Sequence, residues 1–163
     1  MVPRSFMEFM ITAAGAAGAM IGLLFVAISL RSELVFGAKA PDKVKTLAGS
    51  SFTSLVNAFS LSILAIIPQT NIGRGMIFLS VFCLINTWRL HARSRHFKNQ
   101  TFAFVVSTLN YLFELAGGIT LLIRPFEQWI VDALCYVIFA SFVIALNRTW
   151  TLIQSETVIA SDP

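Results

Sequence analysis

At 163 residues, 56% hydrophobic and only 12% charged, the chain carries apolar runs of about twenty residues, which excludes an ordinary soluble domain and leaves no room for a separate catalytic module. The formal net charge of +4 lies in polar stretches between those runs. It therefore reads as membrane topology and not as affinity for nucleic acid. The implied class is an all-α polytopic membrane bundle in a single domain.

Residues 1–8 are too short to fold alone, and Arg4 is their only base. A base before an apolar run is the pattern of a signal peptide. Residues 10–30, however, exceed a usual signal core and are followed by charges instead of a small-residue cleavage site, so they read as a retained first span. Its first half is dense in small residues, and Ala14, Gly18 and Gly22 recur at four-residue spacing. Such a ridge admits a second helix at close range, in the same subunit or in a neighbour. Residues 31–45 form a polar connection with Arg31, Lys39, Lys43 and Lys45, broken by Gly37 and Pro41.

The second span, 46–67, is unusually polar, and Ser50, Thr53, Ser54, Asn57 and Ser60 share one side of a helix. Asn57 falls near its middle. Pro68 closes the span, and Gly73 and Gly75 mark a turn around Arg74. The third segment, 72–90, is the shortest, and a re-entrant or interfacial piece is the alternative to a crossing. Charge favours crossing. With five spans, Arg31, Lys39, Lys43, Lys45, Arg89, Arg93, Arg95, Lys98 and Arg148 share one face, and only Arg4, Arg74 and Arg124 share the other. The expectation is an N-terminus outside and a C-terminus in the cytoplasm. The loop after this span holds His91 and His96, whose spacing without a nearby acid or cysteine makes a poor metal site; its bases suit anionic lipid phosphates. Cys83 and Cys135 both sit in apolar runs and read as core residues, with no disulfide framework.

The fourth span, 101–123, carries Glu114 almost at its midpoint, with Ala103, Ser107, Asn110 and Gly117 on the same face and Gly118 beside it. A carboxylate in hydrocarbon costs roughly 2.5–3.5 kcal/mol even on the lenient insertion scale, so Glu114 should face protein or water. Two readings stand side by side. Glu114 opposite Asn57 lines a path for ions or protons together with Ser107, Asn110, Thr53, Ser54 and Ser60; or these groups are hydrogen-bonding glue between helices. The fifth span, 129–152, is bracketed by Trp129 and Trp150, as an aromatic belt would be. Glu127 and Asp132 lie near its outer end. Asn86, Thr87 and Asn147 lie toward the cytoplasmic end, where with Asn110 they would make a polar inner vestibule. Residues 154–163, QSETVIASDP, read as a short polar tail.

One stretch carries a resemblance. Residues 13–30, AAGAAGAMIGLLFVAISL, resemble the first helix of small bacterial membrane proteins in which a small-residue run leads into a GLLFVAIS-type ending, some of them labelled modulator of FtsH protease. The resemblance covers one span and implies a regulatory protein of the bacterial inner membrane, with no catalytic residue to transfer. Motifs for an enzyme are missing, as are signatures for a metal or cofactor. Two functions follow as expectations. The first is an oligomeric ion- or proton-conducting channel with Glu114 in its path; the second is a non-conducting subunit that binds or regulates another membrane protein. Polarity separates them: a channel needs Glu114 touching water, whereas a regulator needs it sealed between helices.

Overall fold

The computed structural model describes residues 4–30, 32–37, 41–67, 71–93, 100–124 and 128–159. Arg31, Lys39, Pro68, Arg95, His96, Lys98 and Glu127 lie outside them. Every element is helical: α1 (Arg4–Leu30), α2 (Ser32–Phe36), α3 (Asp42–Ile66), α4 (Ile72–Arg93), α5 (Gln100–Ile123) and α6 (Gln128–Ile159). Five of these, all but α2, are long and apolar enough to cross a membrane, the architecture of a multi-pass membrane protein. The third segment is among them. The 22 residues of α4 extend about 33 Å, against about 30 Å of hydrocarbon. Its start is fixed by Asn71, whose Oδ1 accepts the Arg74 N–H at 3.2 Å as an N-cap side chain does.

Helices α3, α4, α5 and α6 form a ring in which each packs on the next and α6 returns to α3. Among the described residues no Cα atoms of α3 and α5, or of α4 and α6, approach within 8 Å, so these pairs are the diagonals. Helix α1 lies outside the ring against α3 and α6. That leaves α3 as the most enclosed span. The reason lies in its sequence, since a helix rich in serine and asparagine is costly against lipid, while its small side chains allow close neighbours.

The two ends of the ring differ. The end where α3 starts and α6 finishes, the basic end, carries Lys45, Arg89 and Arg148 together with exposed Glu33 and Asp42, and the interior below them is polar. Toward the opposite end the interior is an apolar core of Ala58, Leu61, Ala65, Ile72, Met76, Leu134, Val137 and Ile138, completed by Phe6, Met10 and Ala13 of α1. In this half α4 and α5 cross tightly. A Cβ on Gly73 would sit 2.8 Å from the Gly118 carbonyl oxygen, and one on Gly118 would meet the Gly73 oxygen and Met76 Cβ at 3.0 Å. Gly117 lies beside the crossing, with Met76 at 3.2 Å from a Cβ there.

Helix α1 is two-faced. Phe6, Met10, Ala13, Ala17 and Leu24 are buried against the ring, whereas Gly15, Ala19 and Gly22 are exposed on the opposite side. The ridge of Ala14, Gly18 and Gly22 winds between these faces. Ala14 is buried, a Cβ on Gly18 would meet the Phe59 ring at 3.8 Å, and nothing lies within 4 Å of a Cβ on Gly22.

Two elements depart from the sequence reading. The connection after α1 contains α2, held where Val35 packs with Val44, Leu47, Ala48 and Leu152. Helix α6 also continues past residue 152 to Ile159, because QSETVI contains neither proline nor glycine to stop a helix already propagating. Gly73→Ala is expected to destabilise the bundle by about 1–3 kcal/mol, since backbone cannot yield as a side chain does. Gly15→Ala and Gly22→Ala should stay within about 0.5 kcal/mol of wild type. Denaturant titrations of the three variants in micelles check both expectations.

Candidate functional site: a polar column across the bundle diagonal

The inward face of α5 is Ser107, Tyr111, Glu114 and Gly118, at alternating spacings of four and three, and all four are buried. Opposite it, α3 turns Ser50, Thr53, Ser54 and Asn57 inward. The two backbones are too far apart to touch, so long polar side chains span the gap. Asn57 Nδ2 donates to Glu114 Oε2 at 2.6 Å, and Ser54 Oγ lies 3.2 Å from the Tyr111 hydroxyl. Both Asn57 and Glu114 are fully buried. From α4, Cys83 Sγ reaches Asn57 Oδ1 at 3.5 Å, a weak donor on a well-placed acceptor.

Neighbouring pairs join the remaining helices. Asn86 Nδ2 of α4 donates to Thr53 Oγ1 at 2.6 Å, and Asn110 Nδ2 of α5 donates to Ser141 Oγ of α6 at 3.1 Å. Closer to the basic end, Arg148 of α6 is buried. Its Nη2 donates to the Ala103 carbonyl at 2.8 Å and also to Ser107 Oγ. Beyond it opens a pocket of about 40 Å³ whose lining includes Thr46, Ser50, Thr87, His91 and Arg148. The polar side chains thus descend from this pocket through Arg148, Ser107, Ser54 and Tyr111 to Asn57 and Glu114. Among the described residues the side-chain hydrogen bonds between helices end there: the buried Ser62 and Ser80 beyond donate only to carbonyls of their own helices, at Ala58 and Ile77. Next to Asn57 and one turn farther along α3, Ala58 and Leu61 belong to the apolar core with Met76, Val137 and Ile138.

Much of the column is internally satisfied. Ser50 donates to the Leu47 carbonyl at 3.0 Å, Thr53 to Gly49 at 2.8 Å and Ser141 to Val137 at 2.9 Å, each within its own helix. Glu114 Oε1 is different: it is buried and has no hydrogen-bond partner among the described residues. The ~40 Å³ pocket does not reach Glu114, nor does the cavity of about 100 Å³ between α5 and α6 that Phe113, Gly117 and Val137 help to line.

The sequence-selected residues divide accordingly. Glu114, Asn57, Ser107, Thr53, Ser54 and Thr87 come together inside one protomer, with Asn86 and Asn110 half-buried at the seams and Ser60 half-buried on α3. Asn147 is exposed on α6 and does not join Asn86 and Thr87. Asp132 is exposed near the start of α6. Tyr111, Cys83, Ser141 and Arg148 are members that the sequence reading did not select. Tyr111 was signalled by its place between Ser107 and Glu114 at helical spacing, and Arg148 by lying within the fifth apolar span. Among the described residues no three His, Cys, Asp or Glu side chains converge as metal ligands would. No protein-family model, curated protein or solved structure matches the chain.

Two substitutions separate the roles of volume and hydrogen bonding at this site. Glu114→Gln keeps the shape and an acceptor for Asn57 Nδ2, and should stay within about 1 kcal/mol of wild type. Glu114→Leu leaves Asn57 Nδ2 without its partner and should cost about 1–3 kcal/mol. Unfolding free energies in the same micelle distinguish them.

Proposed function

We propose that the protein is a non-conducting membrane subunit that acts by associating with another membrane protein, not an ion or proton channel. The observation that carries this reading is the sealing of Glu114. The carboxyl lies at zero exposure inside the chain, bonded to Asn57, with an apolar core in the half of the bundle beyond it. A conducting path needs polar groups or water on both sides of its central acid. Here the hydrogen bonds between helices continue on one side only, and the buried Ser62 and Ser80 on the other bond carbonyls of their own helices. The buried groups then serve to fix helix order and register, since a polar side chain facing lipid or an apolar neighbour is penalised.

Association through α1 is supported by its exposed face of Gly15, Ala19 and Gly22, where small residues leave room for a second backbone at close range. The resemblance of residues 13–30 to the first helix of proteins labelled modulator of FtsH protease points the same way. It also favours a bacterial inner membrane. The distribution of basic residues favours an N-terminus outside and a C-terminus in the cytoplasm, which puts the basic end of the bundle on the cytoplasmic side.

The second reading is conduction of protons or small cations, by a homo-oligomer or along the column itself. It is favoured by the descent of polar groups from the basic-end pocket to Glu114. Proton and potassium flux through liposomes holding the purified protein decides between the two. The expected result is flux no greater than in empty liposomes, for wild type and for Glu114→Gln alike. Flux in the wild type that Glu114→Gln abolishes would overturn the non-conducting reading and place the acid in a path.

A further inference from the structure

The least explained group in the bundle is Arg148. A guanidinium carries five N–H donors and does not give up its charge, so burying it calls for an anion or a full set of acceptors. Nη2 uses its hydrogens on the Ala103 carbonyl and Ser107 Oγ. Nε and Nη1 donate to no protein atom among the described residues, and no carboxylate there lies within 4 Å of the group. Both acceptors that Arg148 does have are neutral. The side chain is nonetheless 94% buried, since its residue exposure is only 6%.

Arg148 also lines the ~40 Å³ pocket, beside Leu47, Leu90 and Ala103. Hydroxyl-bearing Thr46, Ser50 and Thr87 surround it, together with His91 stacked on Phe104 at 3.9 Å between ring centroids. That volume takes about one water-sized group, so an oxygen or two of a larger anion would enter while the rest stayed outside. Its depth is also informative. Arg148 lies two residues before Trp150, and Trp88 is one residue beyond Thr87; both indoles are exposed, as anchors at the headgroup level are. Exposed Lys45 and Arg89 flank the same end and raise the local concentration of anionic headgroups.

We propose that this pocket is a phosphate site that takes the headgroup phosphate of an anionic phospholipid, with Arg148 as its buried cation and Thr46 and Thr87 as hydroxyl donors. Inorganic phosphate offers the same oxygens, but only the lipid is delivered at this depth, with its acyl chains lying along the exposed apolar surface of the bundle. The site is independent of whether the column conducts.

Native mass spectrometry of the delipidated protein in a neutral detergent, titrated with phosphatidylglycerol, phosphatidylcholine or inorganic phosphate, tests the assignment. Wild type should hold one phosphatidylglycerol at least tenfold more tightly than phosphatidylcholine or inorganic phosphate. Arg148→Gln should lose that preference. Because Arg148→Gln also removes bonds between α5 and α6, Thr46→Phe is the second variant: Thr46 is half-exposed, and a ring there fills the pocket while Arg148 keeps both protein acceptors. It should lose the preference with an unchanged melting temperature. Arg89→Gln, which alters an exposed charge outside the pocket, should keep it. Equal binding of inorganic phosphate would overturn the lipid as the source. A preference that survives Thr46→Phe and falls with Arg89→Gln would overturn the site and leave general surface charge.

Discussion

The hydrogen bond between Asn57 and Glu114 is the contact on which the bundle's interior depends. It joins the two helices, α3 and α5, that stand across a diagonal and whose backbones do not meet. Inside a membrane protein, apolar contacts discriminate poorly between alternative helix arrangements, because lipid tails are as apolar as leucine. A buried carboxyl and a buried amide do discriminate. Rotating either helix by one residue carries its polar group about 100° away, into an apolar neighbour or into lipid. Correct pairing is thus enforced chiefly by the cost of the alternatives, with the bond itself contributing a modest net stabilisation.

The same constraint explains why the most polar span is the most enclosed. Ser50, Thr53, Ser54 and Asn57 of α3 need partners on several sides, and the structure supplies α4 through Asn86 and Cys83, and α5 through Tyr111 and Glu114. Some hydroxyls that lack a partner across the bundle turn to their own helix, as Ser62 does to the Ala58 carbonyl, while Ser51 Oγ and Thr108 Oγ1 are buried with no hydrogen-bond partner among the described residues. In the opposite half polar bonds stay within a helix, as Ser80 also shows by donating to the Ile77 carbonyl. There, close approach does the work: Gly73 against Gly118 brings α4 and α5 together, and Leu61, Met76, Val137 and Ile138 fill the interior. One half of the bundle is specified by polar pairing and the other by shape.

Arg148 shows how an element can carry two meanings at once. As a base near the end of a span it adds to the charge asymmetry that orients the chain. As a buried side chain it crosses from α6 to α5 and ends the polar column at the basic end. A charge count along the sequence captures the first role and is blind to the second, because snorkelling outward and turning inward are equally open to a long side chain.

Length and hydropathy determined the class and four of the spans, and the charge distribution favoured a crossing for the short third segment. A helix satisfies its own backbone and must match the bilayer's thickness, so each apolar run announces itself locally. The placement of Glu114 and Asn57 at mid-span depth on polar faces was equally legible, since the faces follow from helical periodicity. Tertiary structure alone decided which faces meet. It turned Tyr111 and not Asn110 into the centre of the α5 face, left Asn147 exposed, and set Ala13 and Ala17 of α1 against the ring while Gly15 and Gly22 point away. It also ended the side-chain hydrogen bonds between helices at Glu114, because what lies beyond a residue in a bundle is contributed by helices far from it in sequence. Periodicity fixes the angle of a side chain about its own axis; only the packing of the other helices fixes what that angle points to.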